Sequence, residues 1–203
     1  MQLTPLACFP SLCNREKTSM AKIKVELIEN FLVVWNPTEG SHLYKTEFYG
    51  KPLGISKPKI PEFKVPLLLD LMEGLYLAEK GTITIYEGSE KRKVGLKKLK
   101  QKARQLYDEF DEKYAVYRDL RDSRLIVTPG IKFGCDFAVY KYGPGVEHAP
   151  YMVSVKKAVS EISATEIVKA GRLATTVRKR FIVAVPDLDM EKTKYLIFKW
   201  FKA

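Results

Sequence analysis

Five short apolar segments in the C-terminal half of the chain constrain its fold more than any other feature. They are rich in the β-branched and aromatic residues that favour strands, and they occupy residues 125–127, 136–140, 151–155, 181–185 and 195–201. After the third segment, Ser163 and Glu166 have the spacing of a capping box, which predicts a helix from there to about residue 177. Strands interrupted by such a helix predict an α/β unit with a mixed sheet.

The N-terminal half predicts a second unit, of the α+β class. Residues 22–28 alternate polar and apolar positions and residues 31–35 are apolar, so both patterns predict strands, which a turn at 36–40 follows. Residues 41–66 contain four prolines, and repeated proline argues against a regular element. We therefore expect a long irregular loop there, which in a compact domain is usually functional or mobile.

Helical patterns with apolar stripes follow this loop. A helix is predicted at 67–77 and, after a strand at 82–86, a lysine-rich helix at 94–104 whose buried stripe is Leu96, Leu99 and Ala103. The next helix carries aromatic residues three and four positions apart, a spacing more typical of a core than of a surface that stacks on bases: Tyr107, Phe110, Tyr114 and Tyr117.

These patterns divide the chain into three parts. Residues 1–19 have no periodicity, so we expect a disordered tail or a wrongly assigned start with Met20 as the natural beginning. An N-terminal domain is predicted at 20–104 and a C-terminal domain at 105–203. The length of 203 residues is sufficient to bury a core, in one large domain or in two small ones.

The formal net charge is +11. A basic surface attracts polyanions, so a nucleic-acid partner is one explanation of this charge. Lysines on solvated faces are the other, and the lysines of 94–104 fit it better. No apolar run approaches the ~20 residues that cross a bilayer, and the N-terminus lacks the apolar stretch of a secretory signal, so we expect no membrane partner.

The cysteine and histidine content limits metal chemistry. Cys8, Cys13 and Cys135 lack the paired spacing of a zinc site, and His42 and His148 are the two histidines. We expect no metal and no cofactor, and a reducing cytoplasm as the location.

Three side chains in the last third of the chain form the candidate site. Tyr140 ends one apolar segment, His148 follows a turn rich in glycine and proline, and Lys179 follows the predicted helix. A phenol, an imidazole and an ammonium can together cleave RNA without a metal. Each residue also has a structural explanation: a core tyrosine at a strand end, a histidine in a surface loop, and a lysine at a helix C-terminus.

These motifs resemble the tRNA-splicing endonuclease family, above all its archaeal members and their eukaryotic catalytic relatives. The likeness rests on Lys-Phe-Gly-Cys-Asp-Phe at 132–137, on the spacing from Tyr140 to His148, and on residues 170–179, and it is stronger after Tyr107. Cys135 departs from the family, which often has glycine or alanine there. The resemblance implies a C-terminal domain related to the restriction-endonuclease architecture.

The resemblance also implies an activity. The family excises introns from precursor tRNA at bulge-helix-bulge sites, without a metal, and leaves 2′,3′-cyclic phosphate and 5′-hydroxyl ends. It implies Tyr140 as the general base, His148 as the general acid and Lys179 as the cation that stabilises the transition state. Arg172 is implied to stack on a bulged base at a neighbouring subunit's site, the alternative being an ion pair with Glu166.

Further residues are expected to bind RNA. Arg178 and Arg180 flank Lys179 and extend its positive field, and Lys45 lies in the 41–66 loop, where lysines and aromatic residues alternate. Cations beside aromatic rings suit phosphates and stacked bases. A mobile surface loop with solvated lysines explains the same pattern.

The chain is also expected to assemble with another endonuclease subunit or with itself. The resemblance implies that an acidic turn, with Asp187, Asp189 and Glu191, docks in a groove of another subunit. The last segment is apolar, and such a strand at a sheet edge needs cover; its expected contact residues are Tyr195, Ile197 and Phe198. An ordinary strand inside the chain's own sheet is the alternative. The long 41–66 loop favours a heterotetramer.

A different class of function remains open at this point. Three interpretations are possible: the chain is the nuclease, a non-catalytic structural subunit of the same complex, or a basic RNA-binding module. The presence of all three candidate catalytic residues favours the nuclease.

Overall fold

The computed structural model describes residues 22–56, 58, 60–176 and 179–198. Its strands are β1 (Ile23–Ile28), β2 (Phe31–Val34), β3 (Lys51–Pro52), β4 (Leu67–Leu69), β5 (Ile83–Glu87), β6 (Arg92–Lys93), β7 (Ile126–Pro129), β8 (Phe137–Tyr140), β9 (Tyr151–Val155), β10 (Arg180–Asp187) and β11 (Lys192–Phe198). Its helices are α1 (Pro37–Glu47), α2 (Leu71–Glu79), α3 (Leu96–Leu106), α4 (Phe110–Asp122) and α5 (Ala164–Thr176), with a 3-10 turn at Ile131–Phe133.

The strands form two mixed sheets. The first has the order β3-β4-β2-β1-β5-β6, in which β1 and β5 are parallel and the other pairs are antiparallel. The second has the order β11-β10-β9-β8-β7, in which β9 and β10 are parallel. The prediction of two mixed α and β units is therefore confirmed, with the two sheets formed by successive parts of the chain.

One continuous core joins the two units. The same apolar cluster contains Val25 and Leu69 from the first sheet and Val127 and Val153 from the second. Helix α4 lies between the second sheet and helices α2 and α3, because it contacts these two helices as well as β7, β9, β10 and β11. Within the described residues, no helix is long and apolar enough to cross a membrane.

The prediction of a turn at 36–40 and an irregular 41–66 loop is wrong at its start, because α1 covers Pro37–Glu47. The Asn36 side chain caps this helix by accepting a hydrogen bond from the Thr38 amide (3.0 Å), and Pro37 occupies the first turn, where its missing N–H costs nothing. The helix ends at Phe48, whose backbone is left-handed with φ of 56°. The irregular segment therefore begins after α1, and β3 interrupts it.

The helix predicted at 67–77 is wrong in its first turn. Leu67 and Leu69 lie in β4, which pairs with β2, and both are fully buried. A short apolar run fits a buried strand as well as a helix. The helix begins after Asp70, which forms a capping box with Glu73: Asp70 Oδ1 accepts from the Met72 amide (2.8 Å) and Glu73 Oε2 from the Asp70 amide (2.9 Å).

Two further details of the helices differ from the predictions. Tyr107 follows α3 rather than belonging to α4. Of the three residues predicted as the buried stripe of α3, Leu99 and Ala103 are fully buried, whereas Leu96 is exposed. The capping box of Ser163 and Glu166 is confirmed at the start of α5.

Candidate active site

The second sheet brings the three candidate residues to one of its ends. Strand β8 ends at Tyr140, whereas β9 begins at Tyr151 and β10 begins at Arg180. Because β8 is antiparallel to β9 and β9 is parallel to β10, the end of β8 and the starts of β9 and β10 meet at the same end. The loop with His148 enters β9 there, and Lys179 directly precedes β10.

The strand register places Tyr140 and Lys179 in one row. Met152 pairs with Ala138 on one side and with Phe181 on the other. When the same register is continued by two residues towards the end of the sheet, it aligns Tyr140, Pro150 and Lys179. Since side chains alternate between faces and strands lie about 4.8 Å apart, Tyr140 and Lys179 share a face, with their backbones ~10 Å apart.

Tyr140 is half-buried on this face. It packs against a small cluster that includes Cys135, Ala138, Ala149 and Met152 and is separate from the main core. The tyrosine side chain is therefore supported by apolar contacts within the sheet end. The structural explanation of Tyr140 as a strand-end residue and its proposed chemical role are therefore compatible.

Lys179 contacts an aromatic ring. Its Nζ atom lies 3.6 Å from the centroid of the Phe133 ring. Partial burial lowers the pKa of the Lys179 ammonium below its usual range, while the nearby Cys135 opposes that shift. Lys179 lies outside α5 (Ala164–Thr176) and directly before β10, so the alternative explanation of Lys179 as a residue of the helix C-terminus is not supported.

His148 is exposed in a loop with a fixed backbone. The Glu147 carboxylate accepts hydrogen bonds from the Lys141 and Tyr142 amides, and the Glu147 amide donates to the Gly143 carbonyl (3.2 Å). Ala149 on the other side of His148 is buried. The backbone at His148 is thus held on both sides, while the imidazole faces solvent.

Both parts of the chain match known domains of one protein family. The pattern of the tRNA intron endonuclease catalytic C-terminal domain matches residues 110–195, and that of the tRNA intron endonuclease N-terminal domain matches residues 23–100. The chain belongs to the tRNA intron endonuclease family. The first match contains the whole row from Tyr140 to Lys179, so the resemblance in the motifs is confirmed.

Several archaeal proteins named tRNA-splicing endonuclease are similar to this chain over nearly their full length. The protein of Hyperthermus butylicus is 43% identical over 180 residues, which is 89% of this chain and 99% of the relative. One from Saccharolobus islandicus is 40% identical over 181 residues, again 89% and 99%. One from Sulfurisphaera tokodaii is 40% identical over 178 residues, or 87% and 98%.

The N-terminal unit of this family member contacts the His148 loop through Phe48. Gly143 has φ of +117°, and a Cβ atom there would lie 2.3 Å from Cε2 of Phe48, so the ring rests directly on the glycine. Only glycine combines that backbone conformation with such close approach. The sequence alone does not predict this contact, because Phe48 and Gly143 are far apart along the chain.

A buried arginine fixes the same junction. The Arg121 guanidinium donates to the carbonyls of Glu47 (2.9 Å) and Val127 (3.1 Å) and to the Tyr117 hydroxyl (3.1 Å). It also lies 4.2 Å from the Tyr49 ring centroid. Sequence analysis missed Arg121, although its spacing of four residues from Tyr117 places it in the apolar stripe of α4.

Three of the predicted RNA-binding residues lie on different elements: Lys45 on α1, Arg172 on α5 and Arg180 on β10. Lys45 forms an ion pair with Glu62 (3.2 Å), and Arg172 is exposed on α5. The Arg180 guanidinium lies 5.9 Å from the Tyr151 ring centroid, on the face opposite Lys179. Arg178 lies outside the described residues.

The predicted assembly residues occupy a hairpin at the far edge of the sheet. Asp187 Oδ1 accepts from the Met190 amide (3.0 Å), and Asp189 and Glu191 are exposed. Strand β11 is the edge strand, Ile197 on it is 42% exposed, and Phe198 packs edge-on against Phe181. The Tyr195 hydroxyl donates to Asp119 of α4.

Within the described residues, no group of three or more histidine, cysteine, aspartate or glutamate side chains is arranged to hold a metal ion.

Proposed function

We propose that this chain is the catalytic subunit of an endonuclease that excises introns from precursor tRNA in the cytoplasm, at sites where a helix separates two bulges. The observation that carries the proposal is the shared row of Tyr140 and Lys179, with the His148 loop at the same sheet end. Membership in the tRNA intron endonuclease family supports the choice of substrate. A base outside the stack is open to recognition by an RNA-binding protein.

The RNA supplies the nucleophile in this reaction. Tyr140 takes the proton of the 2′-hydroxyl, and the 2′-oxygen attacks the adjacent phosphorus. The bond from phosphorus to the 5′-oxygen breaks, and His148 gives that oxygen a proton. The products are a 2′,3′-cyclic phosphate and a 5′-hydroxyl, and Lys179 offsets the negative charge that grows on the phosphorane.

The row places the proposed base and the proposed cation on one face of the sheet. Lys179 lies on the same face as Tyr140, two strands away. An imidazole changes its charge near neutral pH, which suits a group that must donate a proton.

The test is cleavage of a bulge-helix-bulge RNA by the purified protein, alone and with the partner subunit of its own organism, in the presence and absence of EDTA. We expect equal rates in both conditions and products that carry cyclic phosphate. Strict dependence on added Mg²⁺, or products with a 3′-hydroxyl, contradicts the proposal.

We further propose that the chain acts in a tetramer, with a second type of subunit. Exposed Leu196 and Ile197 on the edge strand β11 support pairing with another chain. A groove of about 730 Å³ between α2, α3, α4 and the β10–β11 hairpin is lined by both cations and carboxylates, and Asp187 and Glu191 of the chain's own acidic turn are among them. The docking of the acidic turn 187–191 in another subunit therefore stays a prediction from the family resemblance.

The segment after α1 is proposed to handle RNA. Tyr44, Phe48 and Phe63 form edge-on contacts at its base, with ring centroids 5.5 and 5.8 Å apart. Lys45 and Lys64 line an open pocket of about 540 Å³ beside them. Lys57 and Lys59, also expected to contribute, lie outside the described residues.

The division into domains at 20–104 and 105–203 and the relation of the second domain to restriction endonucleases are also proposals. The mixed five-stranded sheet supports the relation, because α4 packs against β7, β9, β10 and β11, and α5 contacts β10 and β11. The boundary falls in the last turn of α3.

A further inference from the structure

The ammonium of Lys179 rests on an aromatic face, with Nζ 3.6 Å from the centroid of the Phe133 ring. Among the described residues, no carboxylate lies within ion-pair distance of that atom. Within the described part of the chain, this cation therefore contacts a ring that has no net charge and contacts no carboxylate.

The position of Phe133 is fixed by a tight turn. Its amide donates to the Gly130 carbonyl (2.8 Å), and the Gly130 amide donates to the Asp136 carbonyl (2.9 Å), which closes the segment. Gly130 itself leaves no room for a side chain, since a Cβ atom there would lie 2.6 Å from Cys135 Sγ. The ring also packs against the cluster of Cys135 and Met152, beside Tyr140.

The two kinds of partner for a lysine have different chemical consequences. A carboxylate holds an ammonium and also neutralises its field, so a phosphate must compete with it. The face of an aromatic ring attracts the ammonium through its quadrupole, and the attraction is stronger where water is excluded. The ring leaves the net positive charge intact.

We propose that Phe133 is a positioning residue for RNA cleavage: its ring holds the Lys179 ammonium at the row while leaving the charge available to the scissile phosphate. This inference rests on the function proposed above. Through Lys179, the turn at Ile131–Phe133 then contributes to stabilising the transition state. The position of this turn in the sequence, well before His148, does not predict such a role.

The test replaces Phe133 with mono-, di- and trifluorinated phenylalanine, which keep the shape of the ring and weaken its attraction for cations stepwise. We expect the single-turnover cleavage rate at saturating RNA to fall with each fluorine, reaching roughly 2- to 30-fold below the parent protein. The RNA concentration at half-saturation should stay nearly unchanged. Trifluorinated phenylalanine at Phe137, whose ring packs on Tyr117 and faces the other side of the sheet, is the matched control and should leave the rate unchanged.

The Lys179→Met variant separates the two proposals. If Lys179→Met retains the parent rate, the role proposed for Lys179 is wrong. If Lys179→Met is nearly inactive but the fluorinated series is flat, the proposed function stands and the role of Phe133 is wrong. A rate that rises with fluorination also overturns the role of Phe133, because the ring would then compete with the phosphate. The fluorine effect should vanish in the Lys179→Met background.

Discussion

Tyr140 and His148 are held in different ways, and the difference matches their proposed tasks. Tyr140 is half-buried and packs on a small apolar cluster, which limits the movement of its side chain. His148 has a fixed backbone but an exposed imidazole. The exposed imidazole can change its orientation, which suits an acid that protonates the departing 5′-oxygen. The proposed base has to contact the 2′-hydroxyl at the start of the reaction, which suits a packed side chain.

The substitution His148→Ala should therefore lower the cleavage rate by roughly 100-fold or more, as loss of a general acid usually does. RNA binding should be nearly unchanged, because the exposed imidazole has no part in packing. His42→Ala is the matched control, since His42 is also exposed but lies on α1. Single-turnover cleavage and a binding titration measure both effects, and equal losses at the two histidines would refute the assignment.

At this scale the sequence indicated the three residues proposed to react but not the residues that pack around them. Tyr140, His148 and Lys179 stand in motifs with a recognisable order and spacing. Phe133 stands in the same motifs, yet only the folded chain brings its ring to Lys179. Arg121 looks like an ordinary charged residue of an amphipathic helix, and its burial depends on carbonyls from α1 and β7.

Among the elements, the C-terminal strands were predictable and α1 was not. Apolar runs rich in β-branched residues predicted β7 to β11 within a few residues. Helix α1 has Gly40, Ser41 and Leu43 as its buried residues, a weak apolar signal, and Pro37 suggested a turn although it suits the first turn of a helix. The capping residues Asn36 and Asp70 were the overlooked signals.

Shortening the segment after α1 should narrow the range of introns that the enzyme cuts. Deleting residues 55–60 keeps β3, α1 and the buried Phe63, and removes part of the surface proposed to contact RNA. Cleavage of a strict bulge-helix-bulge RNA should persist, while substrates with other bulge geometries are cut more slowly. Lys45→Ala tests the charge alone. A shortened variant of equal stability with unchanged rates on every substrate would rule the role out.

For the whole molecule, Arg121 should contribute strongly to stability. Arg121→Met removes the donors to the Glu47 and Val127 carbonyls and leaves buried acceptors without partners, which should lower the free energy of unfolding by about 2–4 kcal/mol. Arg124→Met, at an exposed position two residues after α4, is the control and should change it by less than about 0.5 kcal/mol. Denaturant titration measures both values. Similar stabilities for the two variants would contradict the role of Arg121.

The assembly should depend on the outer edge of β11. The substitutions Leu196→Lys and Ile197→Lys place charges at two side chains that are 40% and 42% exposed in the single chain. We expect the assembly mass, measured by analytical ultracentrifugation with the partner subunit present, to fall while the circular dichroism spectrum is retained.

Leu53→Lys, at a side chain that is 49% exposed in the first sheet's unit, is the control. An unchanged mass for the β11 variant would show that the contact lies elsewhere.

The junction around Arg121 should also limit the exchange of parts between this chain and its relatives. A chimaera that joined the first sheet of this chain to the second sheet of a relative would keep Glu47 and Tyr49 but take the residue at position 121 from the relative. Phe48 and the residue at position 143 would likewise come from different parents. We therefore expect such a chimaera to fold stably only where the relative supplies matching residues at this junction, so the two units depend on each other although the chain builds them one after the other.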